Sequence, residues 1–161
     1  MARPREFDTD KALERAMDVF WAHGYENASL PMLLSGMKLT RGSLYKAFTD
    51  KKSLFLAALE KYETKAVVPA VQLLTAPDIP DGLIRIETLL TNVVESVRNG
   101  DRRGCLLCTA AAGPSAEDPD IAGSMHALVT LMQSGFEEAL GASALRETMA
   151  GEQRQAMSAQ C

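Results

Sequence analysis

Four side-chain acceptors, Asp8, Ser29, Thr40 and Asp50, each stand directly ahead of a stretch with helical apolar spacing. Such residues satisfy the free N–H groups of a helix's first turn, so each one marks a helix start. The first helix is expected to run from Asp8 to Gly24, with Leu13, Ala16, Met17 and Phe20 on one face. Gly24 ends it, because glycine takes a left-handed cap conformation cheaply. Ser29 opens a short second helix with Pro31 in its first turn, where the missing N–H costs nothing. Residues 36–39 form a turn, and Thr40 opens a third helix that ends near Phe48. Three short helices within about 48 residues match the helix-turn-helix plan.

Asp50 opens a long fourth helix reaching about Thr75, with a bend expected at Pro69. A fifth helix spans 81–98, and Leu83, Ile86, Leu90, Val93, Val94 and Val97 should form its buried stripe. A short apolar helix follows at 105–112, and a seventh runs from about Asp118 to Leu140. Alternation of the strand type is absent, so the fold is expected to be all-α. It divides into a three-helix helix-turn-helix domain, residues 1–50, and a helical remainder, residues 51–161.

On a helical wheel, Leu44, Ala47 and Phe48 of the third helix point one way, with Thr40 close by. Gly42 and Lys46 point the other way, flanked by Ser43 and Tyr45. That outer face is poor packing material and good groove material. Gly42 lets the backbone approach a partner, and Arg41 and Ser43 can donate to base edges or phosphates. Tyr45 and Lys46 can donate to phosphate oxygens. Lys51 and Lys52 open the next helix, whose N-terminus is itself partly positive. Arg3 and Arg5 form a basic arm ahead of the first helix, suited to a minor groove.

The net charge of −4 argues against nucleic acid, but it is unevenly spread. Residues 1–65 hold 11 Lys/Arg against 9 Asp/Glu, and residues 66–161 hold 6 against 12. A mildly basic reader joined to an acidic remainder suits a DNA-binding protein with a second, non-DNA module. No apolar run reaches the roughly 18 residues of a membrane span, and the first residues lack a secretory core. A cytoplasmic location is expected. Three cysteines give no disulfide framework, and His23 and His126 complete no metal set with them. No cofactor is expected. A Ser/His/Asp set, a phosphate loop and an H-E-x-x-H motif are all absent, so no enzymatic activity is expected.

Phe20-Trp21-Ala22-His23-Gly24-Tyr25, then Ser29-Leu30, then Leu39 to Phe48, then Asp50-Lys51 resemble the N-terminal domain of TetR/AcrR-type regulators. The likeness is strong over about residues 7–60. Gly104-Cys105-Leu106-Leu107 and Asp118-Pro119 resemble ligand-domain sequence of one branch. The resemblance implies a homodimeric, all-α transcriptional regulator, by expectation a repressor. It would bind a near-palindromic duplex operator and be released by a small effector. By the same resemblance Ser29, Thr40, Arg41, Gly42, Ser43, Tyr45, Lys46 and Lys51 fall on the family's DNA contacts.

An effector pocket is expected among the fourth to seventh helices, with Leu73, Leu89, Val93, Leu106, Met125, Leu128 and Met132 as lining candidates and Arg85 and His126 as polar ones. Cys105 and Cys108 share a helix face one turn apart beside Arg102-Arg103, which leaves a thiol-based redox or electrophile sensor as an alternative. A reader that no longer binds DNA, in a protein used for interaction alone, is a third reading.

Two departures from the family pattern generate further expectations. The turn glycine usually found two residues before the capping residue is replaced by Lys38, so the turn is expected to survive with Lys38 either strained in a left-handed conformation, at a cost on the order of 1 kcal/mol, or slightly shifted. The two long apolar helices that usually pair in the dimer are not expected after residue 142. Only Leu145, Met149 and Met157 are large and apolar there.

Overall fold

A computed structural model of the chain describes residues 8–143. The described residues are helical with no strand, as the sequence implied. In order they form α1 (Thr9–Asn27), α2 (Leu30–Met37), α3 (Arg41–Ala47), α4 (Lys51–Tyr62), a π-helical turn (Glu63–Val67), α5 (Val68–Leu74) and α6 (Gly82–Arg98). Then come α7 (Leu106–Ala111), a 3-10 turn (Pro114–Glu117) and α8 (Pro119–Gly141). The basic arm with Arg3 and Arg5, and Leu145, Met149 and Met157, lie outside the described residues.

Among the described residues two compact units result, 8–66 with 102–129, and 67–101 with 130–143. In the first, Phe20 of α1 and Phe55 of α4 are both fully buried and meet edge to face at 4.9 Å. Tyr25 closes on Phe55 at 4.9 Å. Such aromatic pairs contribute roughly 0.5–1.5 kcal/mol beyond the area they bury. Leu33 and Met37 of α2, Leu44 of α3 and Leu54 and Leu59 of α4 complete this core. The close approach of α2 to α1 depends on Gly36, where an added Cβ would come within 2.5 Å of Val19 Cγ2.

One helix end differs from expectation, and the irregularity expected at Pro69 takes the form of a π-helical turn. Gly24 has the predicted positive φ of 73°, but its ψ of 169° is not that of a left-handed cap. The helix is broken there rather than ended, and one further turn reaches Asn27. Around Pro69 the chain makes a π-helical turn over 63–67 and then resumes as α5. Proline supplies no N–H to the carbonyl one turn earlier, and its ring crowds that carbonyl. A locally widened turn accommodates both effects.

The second unit corrects the expectation for α6. Leu90, Val93, Val94 and Val97 are about half exposed rather than buried, and every residue from 91 to 98 is exposed. On α6 only Gly82 and Arg85 are buried. Gly82 lies against the backbone of Ala139, leaving no room for a Cβ. Arg85, one of the polar candidates for a ligand, donates from Nε to the Ile79 carbonyl at 2.6 Å and from Nη1 to the Leu74 carbonyl at 3.2 Å. It therefore ties the α5–α6 connection in place. Periodicity identified which residues share a face, and not whether anything lies over it.

Lys38 has φ 56° and ψ 43°, the left-handed alternative of the two expected. The strain is local and removable. Lys38→Gly should raise the urea midpoint by an amount equivalent to about 0.5–1 kcal/mol, because relief of the Cβ clash exceeds glycine's extra unfolded-state entropy. An unchanged or lowered midpoint would show that Lys38 is not strained.

Candidate nucleic-acid interface

The helix-turn-helix is assembled from its caps. Ser29 Oγ accepts the Met32 N–H at 3.4 Å and opens α2, with Pro31 in the first turn. At the far end the Leu39 N–H returns to the Leu34 carbonyl at 3.0 Å, around left-handed Lys38. This closure satisfies the last carbonyls of α2 and reverses the chain sharply. Thr40 then caps α3, its Oγ1 accepting the Ser43 N–H at 3.2 Å and lying 3.0 Å from Ser43 Oγ.

Within α3 only Leu44 is buried. Phe48, its C-cap, is half-buried, and Ala47, expected to point inward, is exposed. In its seven residues, just under two turns, Leu44 is the single buried anchor. The opposite face carries Arg41, Gly42, Tyr45 and Lys46, all exposed, with Ser43 half-buried beside the cap. A Cβ placed on Gly42 would meet nothing within 4 Å, so the backbone there is open to a partner. The Arg41 guanidinium lies 5.8 Å from the Tyr45 ring centroid, an arrangement that gathers two hydrogen-bond donors on one rim.

Beyond α3, Asp50 and Ser53 form a reciprocal capping box. Hydrogen bonds from the backbone N–H and the hydroxyl of Ser53 hold the Asp50 carboxyl below the usual carboxylate range. The two lysines that follow have different surroundings. Lys51 lies 4.6 Å from the Tyr25 ring centroid and 3.4 Å from the Glu26 carbonyl. Partial burial pulls its pKa down, against the pull of Glu26. Lys52 is engaged by Asp118 and Asp120, a pairing that no local pattern in the sequence could reveal because 66 residues separate Lys52 from Asp118.

The family model for bacterial regulatory proteins of the tetR family matches residues 12–58, from α1 into α4. Among solved structures, the chain is similar to the TetR family transcriptional regulator CifR, in a cysteine-mutant form complexed with 26-bp double-strand operator DNA. Identity is 33%, coverage 87% of this chain and 75% of that one, and the TM-score 0.72. The chain belongs to the TetR family. Among curated TetR-type relatives it is 34% identical over 123 residues to the HTH-type regulator YezE of Bacillus subtilis (strain 168), covering 76% of this chain and 62% of that one. It is 47% identical over 60 residues to the HTH-type transcriptional repressor ComR of Escherichia coli (strain K12), covering 37% and 29%. The chain thus spans about three-fifths of YezE. The reduced form of E. coli NemR shares the fold at 20% identity and a TM-score of 0.66, over 86% of this chain and 71% of that one.

The effector candidates divide between the two units. Leu106, Met125 and Leu128 are buried in the first. In the second, Leu73, Leu89 and Met132 are half-buried and Val93 is exposed. The groove along α6 is lined by Leu83, Ile86, Leu90, Val94 and Arg98 and contains none of the seven. His126 is exposed.

Cys105 and Cys108 are free and exposed, with Cys105 as the N-cap of α7. Its sulfur lies 3.7 Å from the Tyr62 hydroxyl. Desolvation opposes ionisation of Cys105, but hydrogen bonds from the Cys108 N–H, the Tyr62 hydroxyl, the Cys108 thiol and the Leu107 N–H outweigh it and hold the thiol low. Cys108 is pushed up by its hydrogen bond to Cys105, then by the charge of Cys105 and by desolvation. Arg103 pairs with Asp18 at 2.6 Å and lies 4.1 Å from the Trp21 ring centroid, holding the approach to this turn.

The two thiols should therefore react unequally. At neutral pH Cys105 is expected to be alkylated by iodoacetamide several times faster than Cys108, measured by peptide mass spectrometry. Tyr62→Phe should narrow the gap, and equal rates in the unmodified protein would contradict the assigned hydrogen bonding.

Proposed function

We propose that this chain is a DNA-binding transcriptional regulator, by preference a repressor, that reads an operator half-site through α3. One observation carries the reading. The exposed face of α3 presents Arg41, Tyr45 and Lys46 around open backbone at Gly42, while Leu44 alone anchors the helix. A short helix with that division is suited to a groove and unsuited to a core. Ser29 and Lys51 stand at its two flanks as phosphate donors, and Thr40 and Ser43 at its start. The operator complexes of CifR support the same use of this fold.

The remaining parts of the reading follow the family. The operator is near-palindromic and the regulator acts as a homodimer, because a single reader forgoes the gain from two linked half-sites. A small effector held by the helical remainder, residues 51–161, releases the DNA. Arg3 and Arg5 track the minor groove. No helix of the described residues is long and apolar enough to cross a membrane. We place the protein in the cytoplasm, and we assign it no catalytic reaction. A thiol trigger at Cys105 and Cys108 is the less favoured alternative. Full alkylation that leaves operator affinity unchanged removes it.

Fluorescence anisotropy with the duplex flanking the protein's own gene tests this reading. Binding should be sequence-specific and weaken steeply with salt, by about 0.9 in the logarithmic slope for each phosphate neutralised. Tyr45→Phe should weaken binding to every sequence about equally, since it removes a phosphate donor. Arg41→Ala should cost roughly 1–3 kcal/mol and change which sequences bind. Weak binding that is indifferent to sequence would overturn the proposal.

A further inference from the structure

The two lysines that open α4 are adjacent in sequence and held by different partners. Lys52 Nζ lies 2.9 Å from Asp118 Oδ2 and 2.5 Å from Asp120 Oδ2. Asp118 has a second task. Its Oδ1 accepts the N–H groups of Asp120 and Ile121 at 3.0 and 3.3 Å, capping the start of α8. One carboxylate thus joins the first turn of α8 to the first turn of α4. The pair is stable in its charged form. Hydrogen bonds to Asp120 and Asp118 raise Lys52 above the ordinary lysine range, and Lys52 in turn holds Asp118 below the usual carboxylate range.

A second contact binds the same two regions a short distance away. Glu26, near the end of α1, accepts the Ser115 N–H through Oε1 at 2.7 Å. Gly113 packs against the same side chain, where an added Cβ would lie 3.1 Å from Glu26 Cγ. The Glu26 carbonyl in turn accepts Lys51 Nζ. One contact allows pivoting in every direction, whereas two separated contacts leave rotation about a single axis. Residues 113–120 are therefore fastened both to the end of α1 and to the start of α4. Because Phe48, which caps the end of α3, is separated from Asp50, which caps the start of α4, by Thr49 alone, whatever holds the first turn of α4 also holds α3.

We propose that Asp118 and Asp120 are positioning residues for the DNA reader. By gripping Lys52 they fasten the α3–α4 corner to the start of α8. Lys52 belongs to this clamp and is not a phosphate ligand, although it is a lysine at the N-terminus of a helix beside the recognition helix. The inference rests on the proposed reading of α3 as a DNA reader. It adds the residues that set the reader's orientation and identifies the point at which a movement of α8 reaches α3.

The test uses the full chain with Lys52→Gln, Lys52→Arg, Asp120→Asn, the Asp118→Asn/Asp120→Asn pair, and the triple variant Lys52→Gln/Asp118→Asn/Asp120→Asn. Asparagine at 118 keeps an oxygen for the α8 cap, and the Asp120 carboxylate takes no part in that cap, so the fold should survive in each. Operator affinity is measured across a salt series, and hydrogen exchange of residues 41–52 is followed without DNA. Lys52→Gln and the double carboxylate variant should each weaken binding about twofold to fivefold. The triple variant should be no weaker than either, because all three remove the same contact. The salt slope should stay constant, Lys52→Arg should retain affinity, and exchange over 41–52 should rise when the carboxylates are neutralised.

A slope that flattens by about 0.9 in Lys52→Gln, with binding tightened when the carboxylates are neutralised, would make Lys52 a phosphate ligand and overturn the clamp. So would normal binding and unchanged exchange in every variant. If the unmodified protein binds no duplex yet exchange over 41–52 rises when the carboxylates are neutralised, the DNA-binding reading fails and the clamp stands.

Discussion

The contact of Phe20 with Phe55 is the constraint on which the reader depends. Each ring comes from a long helix, and each is fully buried. Truncating one to alanine in such a setting typically costs about 3–5 kcal/mol, a large share of a small unit's stability. The pair fixes α1 against α4. The α2 helix can then lie close to α1 at Gly36, and α3 is suspended between α2 and α4 by its two ends. A seven-residue helix anchored by Leu44 has little stability of its own. It is displayed because its neighbours are rigid, which leaves the rest of its surface available for recognition.

Electrostatics then sorts cations that look alike. Lys46 and Arg41 face solvent, Lys51 rests on the Tyr25 ring, and Lys52 is held between two carboxylates. Lys61 has a similar fate, paired with Asp10 and Glu14 of α1, and Lys65 pairs with Glu14 too. The basic residues from Arg41 to Lys65 therefore split into a set turned outward on α3 and a set that fastens α4 and the turn after it to their surroundings. The modest positive excess of that segment understates how the outward set is focused near α3.

Local chemistry was legible in the sequence wherever one residue acts on its near neighbours. The caps Asp8, Ser29, Thr40 and Asp50 all lie at helix starts, because each bonds N–H groups within three residues. Left-handed Lys38 was legible through the family resemblance alone, which puts the turn glycine at that position, whereas local chemistry offers Gly36 for the reversal as well. The face of α6 was not. Its apolar spacing is helical throughout, yet Leu90, Val93, Val94 and Val97 are exposed, because spacing carries no information about what packs above it. Arg85 was misjudged in the opposite direction. It is buried, satisfied by two backbone carbonyls that only the folded α5–α6 connection brings within reach.

By itself, then, the sequence determined the helices of the helix-turn-helix, their order, and the outward positions Arg41, Gly42, Tyr45 and Lys46 of α3, since capping, turn chemistry and a 3.6-residue period all act over a few residues. Tertiary structure alone decided which charges are free. Lys51 and Lys52 are neighbours with the same side chain, and nothing local distinguishes them. The difference comes from Glu26 and Tyr25 on one side and Asp118 and Asp120 on the other, groups brought to the same corner only when α1, α4 and α8 pack. Coulomb attraction depends on distance in space, and separation along the chain does not predict it.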